Sequence, residues 1–265
     1  MKGNKFSAVI FDVDGTIADT ERDVHRLAFN SAFKKFNINW NWDVELYGEL
    51  LNITGGKERI RYYIEKYAPD KLKTRELEAW ITNVHINKTK YFLSLLNHGL
   101  IQPRPGVIRL IKELRSAKID IAIASTTTLN NITTLLKSTL GKDSLSWFNV
   151  IAAGDIVPKK KPAPDIYIWA LNHLGLQAQQ CIAIEDSECG LRAAMAAGIK
   201  TVVTVNNYTE KQNFTGASIV LSNLGEPYEP FTVMSGITTN KLVNIEMLNE
   251  IASHDNKIDL ENRFQ

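Results

Sequence analysis

The sequence predicts an α/β fold: a parallel sheet core flanked by helices, with a helical domain inserted after the first strand. Three observations carry this expectation. Short apolar runs at Ala8–Phe11, Ile121–Ala124 and Cys181–Ile184 each end in polar residues, as strands buried on both faces do. The segments between them repeat apolar residues at helical spacing. From about Glu21 to Leu100 the pattern stays helical, with no strand read in it.

In chain order, Ala8-Val9-Ile10-Phe11 is the first strand, closed by Asp12. The inserted segment opens with a face of Val24, Leu27, Ala28 and Ser31 and continues with helices over Arg59–Tyr67 and Glu76–Leu96. Phe29, Phe33 and Phe36 recur at helical spacing and are read as core of the inserted domain. Gly15-Thr16 and the stretch Gln102-Pro103-Arg104-Pro105-Gly106 suit a two-stranded hinge. Val107, Leu110, Ile111 and Leu114 then mark a helix, Ile121–Ala124 the second strand, and Leu129, Ile132, Leu135 and Leu136 another helix. The third strand, Cys181–Ile184, is followed by a helix through Leu191, Ala194 and Met195 and by a fourth strand over Thr201–Val205. The expected domains are a core of residues 1–20 and 101–225, a helical domain of residues 21–100, and a C-terminal extension of residues 226–265. In the extension, Leu242–Ile251 reads as one more helix, and the tail from Ser253 as charged and loose.

Composition narrows the function classes. The chain has 265 residues, 44% hydrophobic and 23% charged, ordinary for a globular protein. Lys plus Arg is 31 and Asp plus Glu is 29, a net charge of +2, which argues against a nucleic-acid binder driven by bulk charge. No apolar run is long enough for a membrane span, and no secretory leader is expected ahead of Asp12. The two cysteines, Cys181 and Cys189, are too few for a disulfide framework or a Cys-rich zinc site and are read as ordinary thiols. A cytoplasmic monomer is expected.

The polar residues at the strand ends carry chemistry. Asp12 and Asp14 are two apart at the end of an extended segment, where i and i+2 face one side, and Gly15 permits a tight turn. Glu185 and Asp186 close the third strand in the same way. Brought together at about 4 Å, each like-charge pair would cost on the order of 4 kcal/mol at an effective dielectric near 20, so a cation is required. An all-oxygen site suits Mg²⁺. Ser125-Thr126-Thr127-Thr128 precedes a helix and offers hydroxyls and N–H groups to an anion. Lys159-Lys160-Lys161-Pro162 lies in the loop before the next helix and can supply a cation to a phosphate. A nucleophilic carboxylate, a metal, an anion pocket and a lysine are the parts that phosphoryl transfer needs.

In this order the motifs resemble the haloacid dehalogenase superfamily, over residues from Phe6 to about Leu221. Phe11-Asp12-Val13-Asp14-Gly15-Thr16 is similar to its first motif, Ser125-Thr126 to its second, Lys161-Pro162-Ala163-Pro164-Asp165 to its third and Glu185-Asp186-Ser187 to its fourth. The resemblance implies a Rossmann-like core with a C1-type cap. It implies Asp12 as nucleophile, forming an aspartyl-phosphate, and Asp14 as general acid and then base. Ser125 and Lys161 would hold phosphoryl oxygens. Mg²⁺ would lie on Asp12, the Asp14 carbonyl and Asp186, with Glu185 behind or acting through water. The superfamily's true dehalogenases lack the second aspartate, so Asp14 counts against that activity.

The stretch from Asp12 to Asn30, DVDGTIADTERDVHRLAFN, and Thr54 to Ile60, TGGKERI, resemble the CbbY subfamily. Its characterised activity removes the C1 phosphate of xylulose 1,5-bisphosphate. That resemblance implies that Glu21 and the Thr54, Gly55, Gly56 and Lys57 loop face a phosphorylated sugar, with Thr126 beside it. Lys57, with Arg59 or Arg61, would grip a distal phosphate. A phosphomutase of the β-phosphoglucomutase type, a phosphoglycolate phosphatase and a non-catalytic binder are the alternatives. His25, one helical turn past Glu21, is within reach of the cleft but is read as a surface histidine. His85, His98, His173 and His254 show no ligand spacing.

Overall fold

The computed structural model describes residues 4–73, 75–97 and 101–253. Its strands are β1 (Ala8–Phe11), β2 (Asp120–Ser125), β3 (Val150–Ala153), β4 (Cys181–Glu185), β5 (Lys200–Thr204), β6 (Ile219–Leu221) and β7 (Val233–Ser235). They form a sheet in the order β3-β2-β1-β4-β5-β6-β7. Pairings from β3 through β6 are parallel, and β7 runs antiparallel to β6.

Alternate residues of the strands point to opposite faces. On one face Val9, Phe11, Ile121, Ile123, Ile182 and Ile184 pack against α5 (Val107–Ser116), α6 (Leu129–Thr139) and α9 (Ile245–Ser253). On the other, Ala8, Ile10, Ala122, Ala124 and Ala183 meet α7 (Asp165–Leu174) and α8 (Glu188–Ala196). Small residues on this second face let the helices sit close to the sheet. The register places Phe11 level with Ile123 on one side and Ile184 on the other. Asp12, Ser125, Glu185 and Asp186 therefore emerge together at the carboxyl edge, where parallel sheets bind ligands.

Between β1 and α5 lies a layer of helices with a core of its own. It begins with a π-helical turn, Glu21–His25, and continues through α1 (Arg26–Lys35), α2 (Val44–Leu50), α3 (Gly56–Tyr67) and α4 (Leu77–Asn97). Phe29, Phe33, Trp42, Tyr47, Leu50, Ile60 and Ile64 fill it. The chain leaves the core through Gly15 and returns through Pro103, which bridges to Ala18. Arg104 locks this crossing: it donates to the carbonyls of Gly15, Thr204, Val205 and Ser222, which belong to segments far apart in sequence.

Several elements differ from the expectation. The buried face of α1 is Ala28, Phe29, Ala32 and Phe33, while Leu27 is exposed. The wider winding at Glu21–His25 shifts the phase of the stripe. In α6 Asn131 takes an inward position and Leu129, at the first turn, is exposed. Met195 is exposed in α8. The short elements α2, β3, β6 and β7 carry too few residues for a periodicity to register. Residues after 225 add β7 to the sheet edge, and Val243, Met247 and Leu248 join the main core. The tail read as loose lies, beyond Ser253, outside the described residues, as do His98 and His254.

Candidate active site

A cleft of about 250 Å³ opens at the carboxyl edge of the sheet beneath the helical layer. Asp12, Asp14, Ser125, Thr126, Lys161 and Asp186 line it from the core, and Glu21, Thr54, Gly55 and Arg59 from the helices. A larger cavity, about 370 Å³, lies past Gly15 over Arg104 and Asn206. It is lined by none of Asp12, Ser125 or Lys161, so the smaller cleft is the one with chemistry.

The core wall is built from strand ends. The Asp12 N–H donates to Ile184 O at 2.9 Å, holding the carboxylate at the β1–β4 boundary. Lys161 Nζ donates to Asp12 Oδ1 at 2.6 Å, to Glu185 Oε1 at 2.7 Å and to Ala124 O at 2.8 Å. All its protons are thereby directed. Tyr167 donates a further hydrogen bond to Glu185 Oε1. Burial alone would push the Lys161 ammonium down, but Asp12 and Glu185 more than offset it and hold it up. Burial pushes the Asp12 carboxyl up to about 8, against Lys161 and with the help of Glu185. Asp186 is raised for the same reasons, burial first and then Asp12 and Glu185.

Carboxylate oxygens of Asp12, Glu185 and Asp186 lie within 4.8 Å of one another, all buried. One lysine serves two of them, and among the described residues the side chain that donates to Asp186 is the neutral Asn206 amide, at 2.6 Å. This excess of buried negative charge and its all-oxygen donors fit a hard divalent cation. Gly15, with φ of +91°, is required here: a Cβ would stand 2.2 Å from Asp186 Oδ2. Ser125 is buried and its Oγ accepts from the Thr127 N–H at 3.2 Å.

Asp14 was expected to share a face with Asp12 on a strand. Instead β1 stops at Phe11, Asp14 bridges to Ala18, and its side chain turns toward the helical layer. Thr20 Oγ1 donates to Asp14 Oδ1, and His25 Nε2 lies 3.1 Å from the same oxygen. Lys88 on α4 meets His25 Nδ1 from behind. Burial would raise the Asp14 carboxyl; His25, with Thr20, outweighs it, and the net shift is downward. His25 is thus buried rather than on the surface, stacked on Phe92 at 4.1 Å. Its spacing from Glu21 put it within reach of the cleft, and the π-helical turn points it inward. Lys88, which no motif marks, is buried between the Phe29 and Phe92 rings.

On the helical wall, Tyr47 donates to Glu21 Oε2 at 2.6 Å, and Arg59 Nη1 donates to Tyr47 Oη at 2.8 Å. Arg59 Nε also donates to Leu50 O at 3.0 Å. Arg59 is buried and faces the cleft, whereas Lys57 is not among the cleft's lining residues and Arg61 pairs with Glu78. Of the three cations expected near a distal phosphate, Arg59 is the one that lines the cleft. Gly56 passes against His85, where a Cβ would meet Nε2 at 2.4 Å. Lys160 forms a 2.7 Å ion pair with Glu58, tying the helical layer to the core loop that carries Lys161. Cys189, half-buried, also lines the cleft.

The model of haloacid dehalogenase-like hydrolases matches residues 9–204. The chain belongs to this family. The CbbY protein of Cupriavidus necator is 45% identical over 223 residues, 84% of this chain and 87% of that protein. A crystal structure of a CbbY mutant from Rhodobacter sphaeroides, in complex with xylulose-(1,5)bisphosphate, matches at 42% identity with a TM-score of 0.77, covering 82% of this chain and 94% of that one. A β-phosphoglucomutase from Clostridium difficile shares the fold at 24% identity and a TM-score of 0.72, covering 93% and 97%. This haloacid dehalogenase-like chain is an enzyme, and its CbbY relatives place it with the family's phosphatases. Among the described residues, no helix is long and apolar enough to cross a membrane.

Proposed function

We propose that this chain is a Mg²⁺-dependent phosphatase that hydrolyses a sugar phosphate through an aspartyl-phosphate on Asp12. The substrate we favour is xylulose 1,5-bisphosphate or a related sugar bisphosphate, the ligand held by the CbbY mutant. The observation that carries this reading is the placement of Asp12. On the core wall it accepts from Lys161 and forms the acidic triplet with Glu185 and Asp186, and it shares the cleft with Glu21 and Arg59 of the helical wall.

Asp12, Asp186 and the Asp14 carbonyl would hold the metal, with Glu185 behind them. When bound it supplies positive charge to the phosphoryl oxygens and to the crowded carboxylates. Asp12 Oδ attacks phosphorus while the sugar oxygen leaves. That oxygen takes a proton from Asp14, which draws on the His25 hydrogen bond. Water then attacks the aspartyl-phosphate, and Asp14, returned to its carboxylate, accepts the water proton. The depressed Asp14 suits this second half directly. Ser125, Thr126 and Lys161 steady the phosphoryl oxygens. The helical layer acts as a cap over the cleft and excludes water during transfer.

The test is Mg²⁺-dependent phosphate release from xylulose 1,5-bisphosphate, ribulose 1,5-bisphosphate, β-glucose 1-phosphate and phosphoglycolate. Preference for xylulose 1,5-bisphosphate is expected. Isomer formation from β-glucose 1-phosphate without phosphate release would replace the phosphatase with a mutase.

A further inference from the structure

Beside the catalytic cleft a recess of about 60 Å³ lies between α6 of the core and α4 of the helical layer. It shares Asp14, Gly55, Arg59 and Thr126 with the cleft and is continuous with it. Such a volume holds a few water-sized groups. At its core end stands Asn131, 3% exposed. Its Nδ2 is committed, donating to Thr127 Oγ1 at 3.2 Å. Its Oδ1 is fully buried and has no hydrogen-bond partner among the described residues. A buried acceptor without a donor costs on the order of 1–3 kcal/mol, so it is retained against a penalty.

The opposite wall carries His85. Burial first, then the Lys88 and Lys57 charges, pull its imidazole down to about 3, so it is neutral near pH 7, one nitrogen a donor and the other an acceptor. The cations that border the recess have partners: Lys88 is turned to His25, and Arg59 to Tyr47 and Leu50. An unpaired carbonyl oxygen repels a phosphate oxygen and attracts an O–H. Carbonyl and neutral imidazole together therefore match a hydroxyl, which both donates and accepts.

We propose that this recess is the sugar-hydroxyl subsite of the enzyme, with Asn131 Oδ1 accepting a hydrogen bond from a substrate hydroxyl and His85 meeting the same stretch of the polyol from the facing helix. This rests on the phosphatase reading and adds to it a specificity-determining pair that no sequence motif marks. Loss of the hydroxyl, or of its acceptor, leaves a buried polar group unpaired. Discrimination by such sites is larger than a hydrophobic contact gives.

The experiment compares xylulose 1,5-bisphosphate with p-nitrophenyl phosphate, which has no hydroxyl, in the wild type and in Asn131→Leu. The ratio of kcat/KM between the two substrates should fall at least tenfold in the variant, through KM for the sugar. An unchanged ratio in a variant that still turns over both substrates would overturn the subsite. If Asn131→Leu loses both activities together, His85→Leu decides: the same selective rise in KM supports the proposal and a parallel loss on both substrates ends it. A wild type inactive on every phosphate ester would instead remove the phosphatase reading, and the subsite with it.

Discussion

On the core wall of the cleft, Asp12, Ser125 and Asp186 stand at or just beyond the ends of neighbouring strands, within one residue of one another by register. On the helical wall, Glu21, Tyr47 and Arg59 come from three separate helical segments and His85 and Lys88 from a fourth, α4, and they converge by side-chain length and helix packing. The core wall concentrates charge on few atoms: Lys161 holds two carboxylates and a carbonyl. The helical wall spreads its charge through hydrogen-bonded pairs, Glu21 with Tyr47 and Arg59, and His25 with Lys88. One wall is built for reacting atoms and the other for choosing what lies beside them. Substitutions on the first should act on kcat and those on the second on KM, and that division can be broken.

The largest effect is expected from Asp12→Asn. It removes the attacking oxygen while keeping shape, so phosphate release should fall at least about a thousandfold with the circular dichroism spectrum unchanged. Residual turnover near wild type would move the nucleophile elsewhere.

Lys88 tests the division most sharply, because it belongs to the helical layer and its effect should reach the chemistry. Lys88→Met leaves His25 Nδ1 without its partner, and kcat should drop by about tenfold to a hundredfold. Its pH signature has a definite sign. Burial pulls Lys88 from its ordinary 10.5 to about 8, against the raising effects of Glu21 and Asp14. Between those values the unfolded chain binds more protons, so the Lys88 contribution to stability rises with pH there and is flat below. Denaturation of wild type and Lys88→Met at pH 7 and pH 10 should show the difference moving toward the wild type at the higher pH. A difference independent of pH would contradict a charged, buried Lys88.

An effect no larger than that is expected from Tyr47→Phe, which removes the hydroxyl linking Glu21 to Arg59. At about 1 kcal/mol for each of the two hydrogen bonds lost, KM for a sugar bisphosphate should rise by about thirtyfold with kcat nearly kept. A fall in kcat alone would place Tyr47 with the core wall.

The smallest effect belongs to Glu58→Gln, across the Lys160 contact. Glu58 is 44% exposed in its side chain, so the pair is screened by solvent and its loss should change stability by less than about 1 kcal/mol in thermal unfolding. A larger loss would make this pair a main tie between cap and core.

The sequence by itself determined the sheet core and its charged edge. Short apolar runs that end in Asp12, Ser125 and Glu185-Asp186 fit buried strands, and parallel register then carries their ends to one place. It also determined that a helical layer intervenes, because a 3.6-residue repeat persists across the insertion. What the tertiary structure decided depends on distance in the chain. Asp14 turns away from the acidic triplet toward His25, since a π-helical turn that no periodicity announces sets the phase of the first cap helix. Lys88 is 63 residues from the histidine it holds. Arg59 rather than Lys57 faces the cleft because α3 presents that side to Tyr47 and Leu50. Asn131 lies inside because α6 turns it, rather than Leu129, toward the interior. Strand ends are placed by backbone hydrogen bonds between adjacent segments, which local patterns encode. Helix faces are oriented by how whole helices pack, and that is settled only when the distant partners meet.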